Sequence, residues 1–252
     1  MAELLVAPTR VTLDERSRTA ELVLVNRGEG PAAFRLSLEN RRMREDGSLE
    51  TVEEPLEGEL FALDMLRFSP RQLLLEPGAR QVVRIMAKSP AGLAPGEYRS
   101  HLRLMSAPAS AARPAAEENA GDTSLSIELI AIRSITVPVI LRVGKLEATA
   151  SVDAAALSEA EPDQLAIKLT RSGTRSTYGD ITITPEGAAE PVWTVRGVAI
   201  YTPNTSREAV LPLSPEVRAQ LAGRKVRIAY VSSDDAVPEM RGKVLAELSL
   251  QL

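Results

Sequence analysis

Between Thr123 and Val143 the chain reads TSLSIELIAIRSITVPVILRV, a run rich in Ile, Val and Leu that contains no glycine. Branched aliphatic residues at this density favour extended chain, and at about 3.3 Å per residue the run would span roughly 60 to 70 Å. An ordinary strand has about 5 to 6 residues, so a stretch this long must either leave part of itself at an open sheet edge or bridge two domains. Pro138 lies inside it and has no N–H to give to a ladder, which predicts that its nitrogen faces no partner strand. The run is therefore expected to be an edge strand offered to another chain.

The chain has 252 residues, enough for two ordinary domains, each able to bury a core without metal or disulfide support. Net charge is −4, with Lys and Arg spread along the chain, a balance that points away from nucleic acid and from anionic membranes. Aromatic residues make up 3%, too few for the stacking platforms that single-stranded nucleic acid requires. The absence of cysteine excludes disulfides, thiolate catalysis and cysteine metal sites, and it fits either redox compartment. No run approaches the roughly 18 apolar residues of a membrane span, so direct membrane insertion is not expected. The start, MAELLVAPTRV, lacks the basic segment and apolar stretch of an export signal.

Taken in order, Leu4 to Leu13 reads as a strand interrupted at Pro8, and Ala20 to Asn26 as a second, followed by turn residues Asn26, Gly28 and Gly30. Ala33 to Leu38 alternates with period two. Arg41 to Pro55 is charged and carries Asp46-Gly47, the signature of a surface hairpin or loop. Phe68 to Ile85 holds two extended runs joined at Glu76-Pro77-Gly78, where Pro presets φ and Gly accepts the positive φ of a type II turn; it reads as a hairpin. Gly96 to Met105 is the next strand. Ser106 to Asp122 has too little apolar bulk to offset its ordering entropy and is expected to be a mobile loop. After Gly144 about seven short strands follow in roughly 110 residues, the spacing of an immunoglobulin-like sandwich. Ser214 to Ala222 is the one expected helix, with Ser214 as N-cap and Pro215 at the first helical position. The expectation is an all-β chain of two immunoglobulin-like β-sandwich domains, 1–143 and 144–252, joined by a short linker with a cleft between them.

Catalytic groups are scarce. The only imidazole, His101, sits mid-strand beside Ser100, and sequence neighbours on a strand point to opposite faces, so the two cannot form a nucleophile and base. His101 is expected at a sheet surface or interface. The pairs Glu53-Glu54, Glu117-Glu118 and Asp234-Asp235 lack calcium-loop spacing and read as solvated turns. Trp193 alternates with Val195 and is assigned to the second core. No catalytic residue, metal or cofactor is expected, and a binding protein is better supported than an enzyme.

Three stretches, APTRVTLDERSRTAELVLVNRGEGPAAFRLSL, FSPRQLLLEPGARQVVRI and ITVPVILRVG, together resemble the periplasmic pilus-assembly chaperones of the chaperone–usher pathway. The resemblance covers residues 4 to 144; the second half matches mainly in length and strand count. It implies a periplasmic protein that binds pilin-like subunits by donating an edge strand and delivers them to an outer-membrane usher. Main-chain hydrogen bonds would supply affinity and alternate side chains specificity. Arg10, in Thr9-Arg10-Val11, aligns with the arginine that grips the subunit's C-terminal carboxylate. The second anchor of the family is a lysine, and here Pro138 stands in its place, with no lysine between Lys88 and Lys145; Arg133 is a weak substitute. The donated side chains are expected to be Leu125, Ile127 and Leu129, with Ile130 and Ile132 on the opposite parity. Glu97, Arg142 and Asp235, or its equal Asp234, match an interdomain ionic cluster. An open apolar edge would also invite self-association. The competing reading is a structural or adhesive two-domain sandwich without chaperone activity.

Overall fold

The computed structural model describes residues 4–107, 134–158 and 163–252. The chain divides into two compact units. The first takes in the described parts of Met1–Asn40, Leu60–Ala94 and Tyr98–Val143, and the second takes in Arg41–Glu59, Pro95–Glu97 and Gly144–Leu252.

The first unit is a sandwich of two sheets. One sheet has the order β1-β3-β8-β6, formed by Leu4–Ala7, Thr19–Asn26, Arg80–Ala87 and Leu66–Ser69. The other runs β2-β10-β9-β4, formed by Val11–Leu13, Ser134–Val143, Gly96–Ala107 and Ala32–Met43, and β7 (Gln72–Leu75) also pairs with β4. Period-two patterning explains the packing: Leu22, Leu24, Val83 and Ile85 from the first sheet share a core with Phe34, Leu36, Leu102, Leu104, Val139 and Leu141 from the second. Each such side chain, taken fully out of water, contributes roughly 1.5–3 kcal/mol.

Two expectations change here. The Pro8 interruption is a change of sheet, because β1 pairs antiparallel with β3 while β2 pairs parallel with β10. Phe68–Ile85 is not a hairpin. The turn at Glu76-Pro77-Gly78 is present, with Gly78 at φ 74° and Ala79 N–H donating to Glu76 O at 2.9 Å. Yet it carries the chain from β7, on β4, to β8, between β3 and β6. Spacing reveals two extended runs and a turn, but only the partner strands decide whether a turn stays in one sheet or crosses the sandwich.

The second unit is also a two-layer sandwich. Ala148–Leu157 (β11), Gln164–Gly173 (β12) and Ser206–Pro212 (β15) form one sheet, and Trp193–Ile200 (β14), Thr177–Pro185 (β13), Lys225–Ser232 (β16) and Val244–Gln251 (β17) form the other in the order β14-β13-β16-β17. Ile167, Leu169 and Leu211 meet Ile181, Ile183, Ile228 and Tyr230 in its core, with Trp193 packed at the margin. The helix, α1, covers Pro215–Leu221, and the Ser214 side chain accepts from Val217 N–H at 3.3 Å. Arg41 to Pro55, expected as a surface hairpin or loop, lies in a hairpin that runs from the end of β4 through β5 (Leu49–Val52), and residues 41–59 belong to the second unit.

Candidate functional site

The site is built on β10. Its odd-numbered residues Val137, Val139, Leu141 and Val143 lie in the first core. Ile135 continues the same row but is 37% exposed. On one side β10 is flanked by β9; on the other, β2 pairs with it over Val139, Ile140 and Leu141 only. The expected edge strand is therefore interior from Val139 onward, where the short β2 covers it. Among the described residues, Ser134–Pro138 have no partner on the β2 side.

Arg10 immediately precedes β2. The pair Val139–Val11, extended back by one residue, sets Arg10 beside Pro138. Arg10 is half-buried, and all three of its guanidinium nitrogens are shielded from solvent. The position alongside Arg10 thus carries proline, whose ring holds no charge. Arg133 and the expected donor residues Leu125, Ile127, Leu129, Ile130 and Ile132 lie outside the described residues, as does most of the Ser106–Asp122 loop.

Strand β9 divides its chemistry between two faces. Tyr98, Leu102 and Leu104 enter the core, together with Ser100, whose hydroxyl donates to Asn40 Oδ1 at 2.7 Å and accepts from Ala62 N–H at 3.1 Å. Glu97, Arg99, His101 and Arg103 form the opposite row. His101, expected at a sheet surface or interface, is fully buried, and strand alternation sets it on the face opposite Ser100. Arg103 Nε donates to Ser134 Oγ at 3.1 Å, and its Nη1 lies 3.6 Å from Glu39.

Of the expected ionic cluster, Glu97 and both aspartates fall in the second unit and Arg142 in the first. Glu97 is buried and accepts from Ser176 N–H at 3.1 Å and from the Ser176 hydroxyl, which in turn accepts from Thr202 N–H at 3.0 Å. Nearby, Arg171 donates to the carbonyls of Gly173, Arg175 and Asn204 at 2.8–2.9 Å. Burial pulls the Arg171 pKa below its ordinary value, opposed by the charge of Glu97. Asp234 is the buried acid of its turn, 3.9 Å from Arg175, whereas Asp235 is exposed and bridges Arg241 at 3.1 Å. Sequence reasoning missed Arg171, Arg175 and Ser176. The only signal was the run TRSGTRST, cationic and rich in hydroxyls around a glycine. Arg142 is buried at the end of β10. Among the described residues no group of His, Asp and Glu is arranged to hold a metal ion, and no helix is long and apolar enough to cross a membrane.

No protein-family model and no curated protein matches the chain. Solved structures do. A chain of the complex between the CsuC chaperone and the CsuE tip adhesion subunit, from the archaic chaperone–usher Csu pili of Acinetobacter baumannii, matches with a TM-score of 0.50 at 11% identity, covering 98% of each chain. The YadV chaperone matches with a TM-score of 0.49 at 11% identity over 99% of each chain, and the E. coli chaperone DraB with 0.45 at 14% over 100% of this chain and 98% of that one. The class is that of two-domain β-sandwich chains with the pilus-chaperone fold. At these identities the likeness is one of fold, and it extends over essentially the whole chain.

Proposed function

We propose that the protein is a non-enzymatic periplasmic chaperone that captures pilin-like subunits on β10 and hands them to an outer-membrane usher. The observation that carries this reading is that the inward-facing apolar row of β10 outruns its own core. Val137 and Val139 are filled in beneath, while Ile135 is exposed on a segment that β2 does not pair. Such a segment presents main-chain hydrogen-bonding groups for strand addition and an alternating apolar row for a partner's groove. The full-length fold match to a chain of a chaperone–subunit complex supports the same reading. In this reading Arg10, which immediately precedes the β2 pairing, holds a subunit's terminal carboxylate, which a planar guanidinium can grip through two hydrogen bonds.

Co-expression with the pilin-like subunits of the source organism tests this. The wild-type chain should raise soluble subunit yield and co-purify with it, and Arg10→Ala should lose capture while its thermal unfolding stays cooperative. A wild-type chain that retains no subunit overturns the chaperone reading and leaves the adhesive or structural one.

A further inference from the structure

Arg103 connects three strands on the outer face of its sheet. Leu102 and Leu104 turn into the core from β9, as Val137 does from β10 and Leu36 from β4. Strand alternation therefore sets Arg103, Ser134 and Glu39 together on the opposite face. Ser37 stands directly across from Arg103, and Glu39 lies one same-face pair further along, across from His101, so Arg103 reaches Glu39 on the diagonal, a span open to long side chains. Its Nη1 lies 3.6 Å from Glu39 Oε2, and its Nε donates to Ser134 Oγ at 3.1 Å. One planar guanidinium thus ties β4 to β10 across β9, a double reach that suits its rigid fork better than the compact ammonium of a lysine. The Glu39 side chain is only 11% exposed, which limits the screening that makes most surface ion pairs weak.

The tie falls where β10 has least support. Pairing with β2 begins at Val139, and among the described residues Ser134 opens the stretch without a partner on that side. A strand end held by one neighbour frays, and every residue that must be re-ordered on binding adds an entropic cost. A contact on the inner face would occupy the row of Ile135 and Val137. One on the β2 side would occupy the main chain that strand addition needs. The Arg103 tie does neither, because it fastens Ser134 from the outer face.

We infer that Arg103 is a positioning residue for strand donation: through Ser134 it holds the start of β10 flat on β9, so that Ile135 and the main chain beside it are ordered before a partner arrives. The inference rests on the reading of β10 as the strand that captures subunits. Order present beforehand raises affinity and rate by lowering the cost of association.

The test has two arms, both on the whole chain. In the free protein, Arg103→Ala and Ser134→Ala should each speed amide hydrogen exchange across Ile135–Val137 by roughly tenfold, the scale of losing one charge-assisted hydrogen bond. The Leu141 amide and the urea midpoint should not change, and Ser134→Thr, which keeps the acceptor, should exchange like the wild type. In the second arm a denaturant-unfolded pilin-like subunit of the source organism is diluted into each chain and the complex followed by size exclusion; both alanine variants should capture it about tenfold more slowly. A merely structural role predicts instead a lowered midpoint and faster exchange throughout the first core, with capture by the folded fraction intact. Unchanged exchange in both variants, or faster local exchange without slower capture, overturns the positioning role and leaves strand donation standing. A wild-type chain that captures no subunit overturns strand donation itself. If Arg103→Ala fails to fold, Ser134→Ala, at an exposed position, decides.

Discussion

Asn26 shows how much a single turn residue can carry. It is fully buried, and its amide donates to Gly30 O at 2.8 Å and Leu75 O at 2.9 Å, while its Oδ1 accepts from Gly28 N–H at 2.9 Å. One side chain thus closes the β3–β4 turn and ties it to the end of β7. Asn26→Ala leaves these groups to find other partners, and a cost of about 2–3 kcal/mol is expected in urea unfolding; Asn26→Asp, which loses both donors, should not rescue it. Turn chemistry at Asn26 was legible from the sequence, but the contact with Leu75 was not, since it spans 49 positions. Gly173 makes a second residue-scale case. At φ +100° a Cβ would lie 2.4 Å from Glu147 O and 2.9 Å from Ala148 Cα, whereas at Gly187, also at positive φ, it would meet nothing within 4 Å. Gly173→Ala should therefore cost clearly more than Gly187→Ala, for which only the left-handed backbone penalty of about 1–2 kcal/mol applies. Equal melting temperatures for the two variants would contradict the packing at Gly173. The same limit on reading sequence separates Asp234 from Asp235, adjacent residues of one type of which only one is buried.

At the scale of elements, strands were largely readable because a buried face imposes alternation; the run expected over Ala20 to Asn26 is β3, Thr19–Asn26. What could not be read was which sheet a strand joins, as at Phe68–Ile85, or which unit a hairpin serves. Arg41 to Pro55 reads as a surface hairpin or loop because it is charged and carries Asp46-Gly47, yet in the 41–59 hairpin the charges also hold it together, and Glu45 Oε1 accepts from the Ser206 hydroxyl at 3.0 Å. Arg42 grips Glu59 through two contacts of 2.7 and 2.8 Å, and Glu59 also accepts from Leu56 N–H at 2.8 Å. The tip then meets β15 and the turn before it: Glu208 N–H donates to Glu45 O at 2.7 Å, and the Asn204 side-chain Nδ2 donates to Met43 O at 2.9 Å. Arg42→Ala should loosen the hairpin and speed hydrogen exchange of the Glu208 amide by at least roughly tenfold, leaving core amides such as that of Ile228 unchanged. A Glu208 amide that keeps its protection would mean that the tip docks without its ionic clasp.

Across the whole molecule, the question is whether β10 serves only its own sandwich. A strand that merely completes a core has its inward row filled along its length, as Val137 through Val143 are. Ile135 breaks that rule by staying on the inward parity with more than a third of its surface in water. Two origins for that exposure predict opposite mutational results. If Ile135 belongs to the chain's own core margin, Ile135→Glu costs stability, since a charge placed against apolar neighbours is penalised. If it is held out for a partner, the free protein hardly notices, within about 0.5 kcal/mol as for exposed positions generally. Subunit capture, which would bury Ile135 in a partner's groove, is then lost. The strand-donation reading requires the second pattern: unchanged urea midpoint, no co-elution of subunit with Ile135→Glu on size exclusion, and retained co-elution with Ile135→Val. A lowered midpoint with capture intact would return Ile135 to its own sandwich and leave β10 an ordinary core strand.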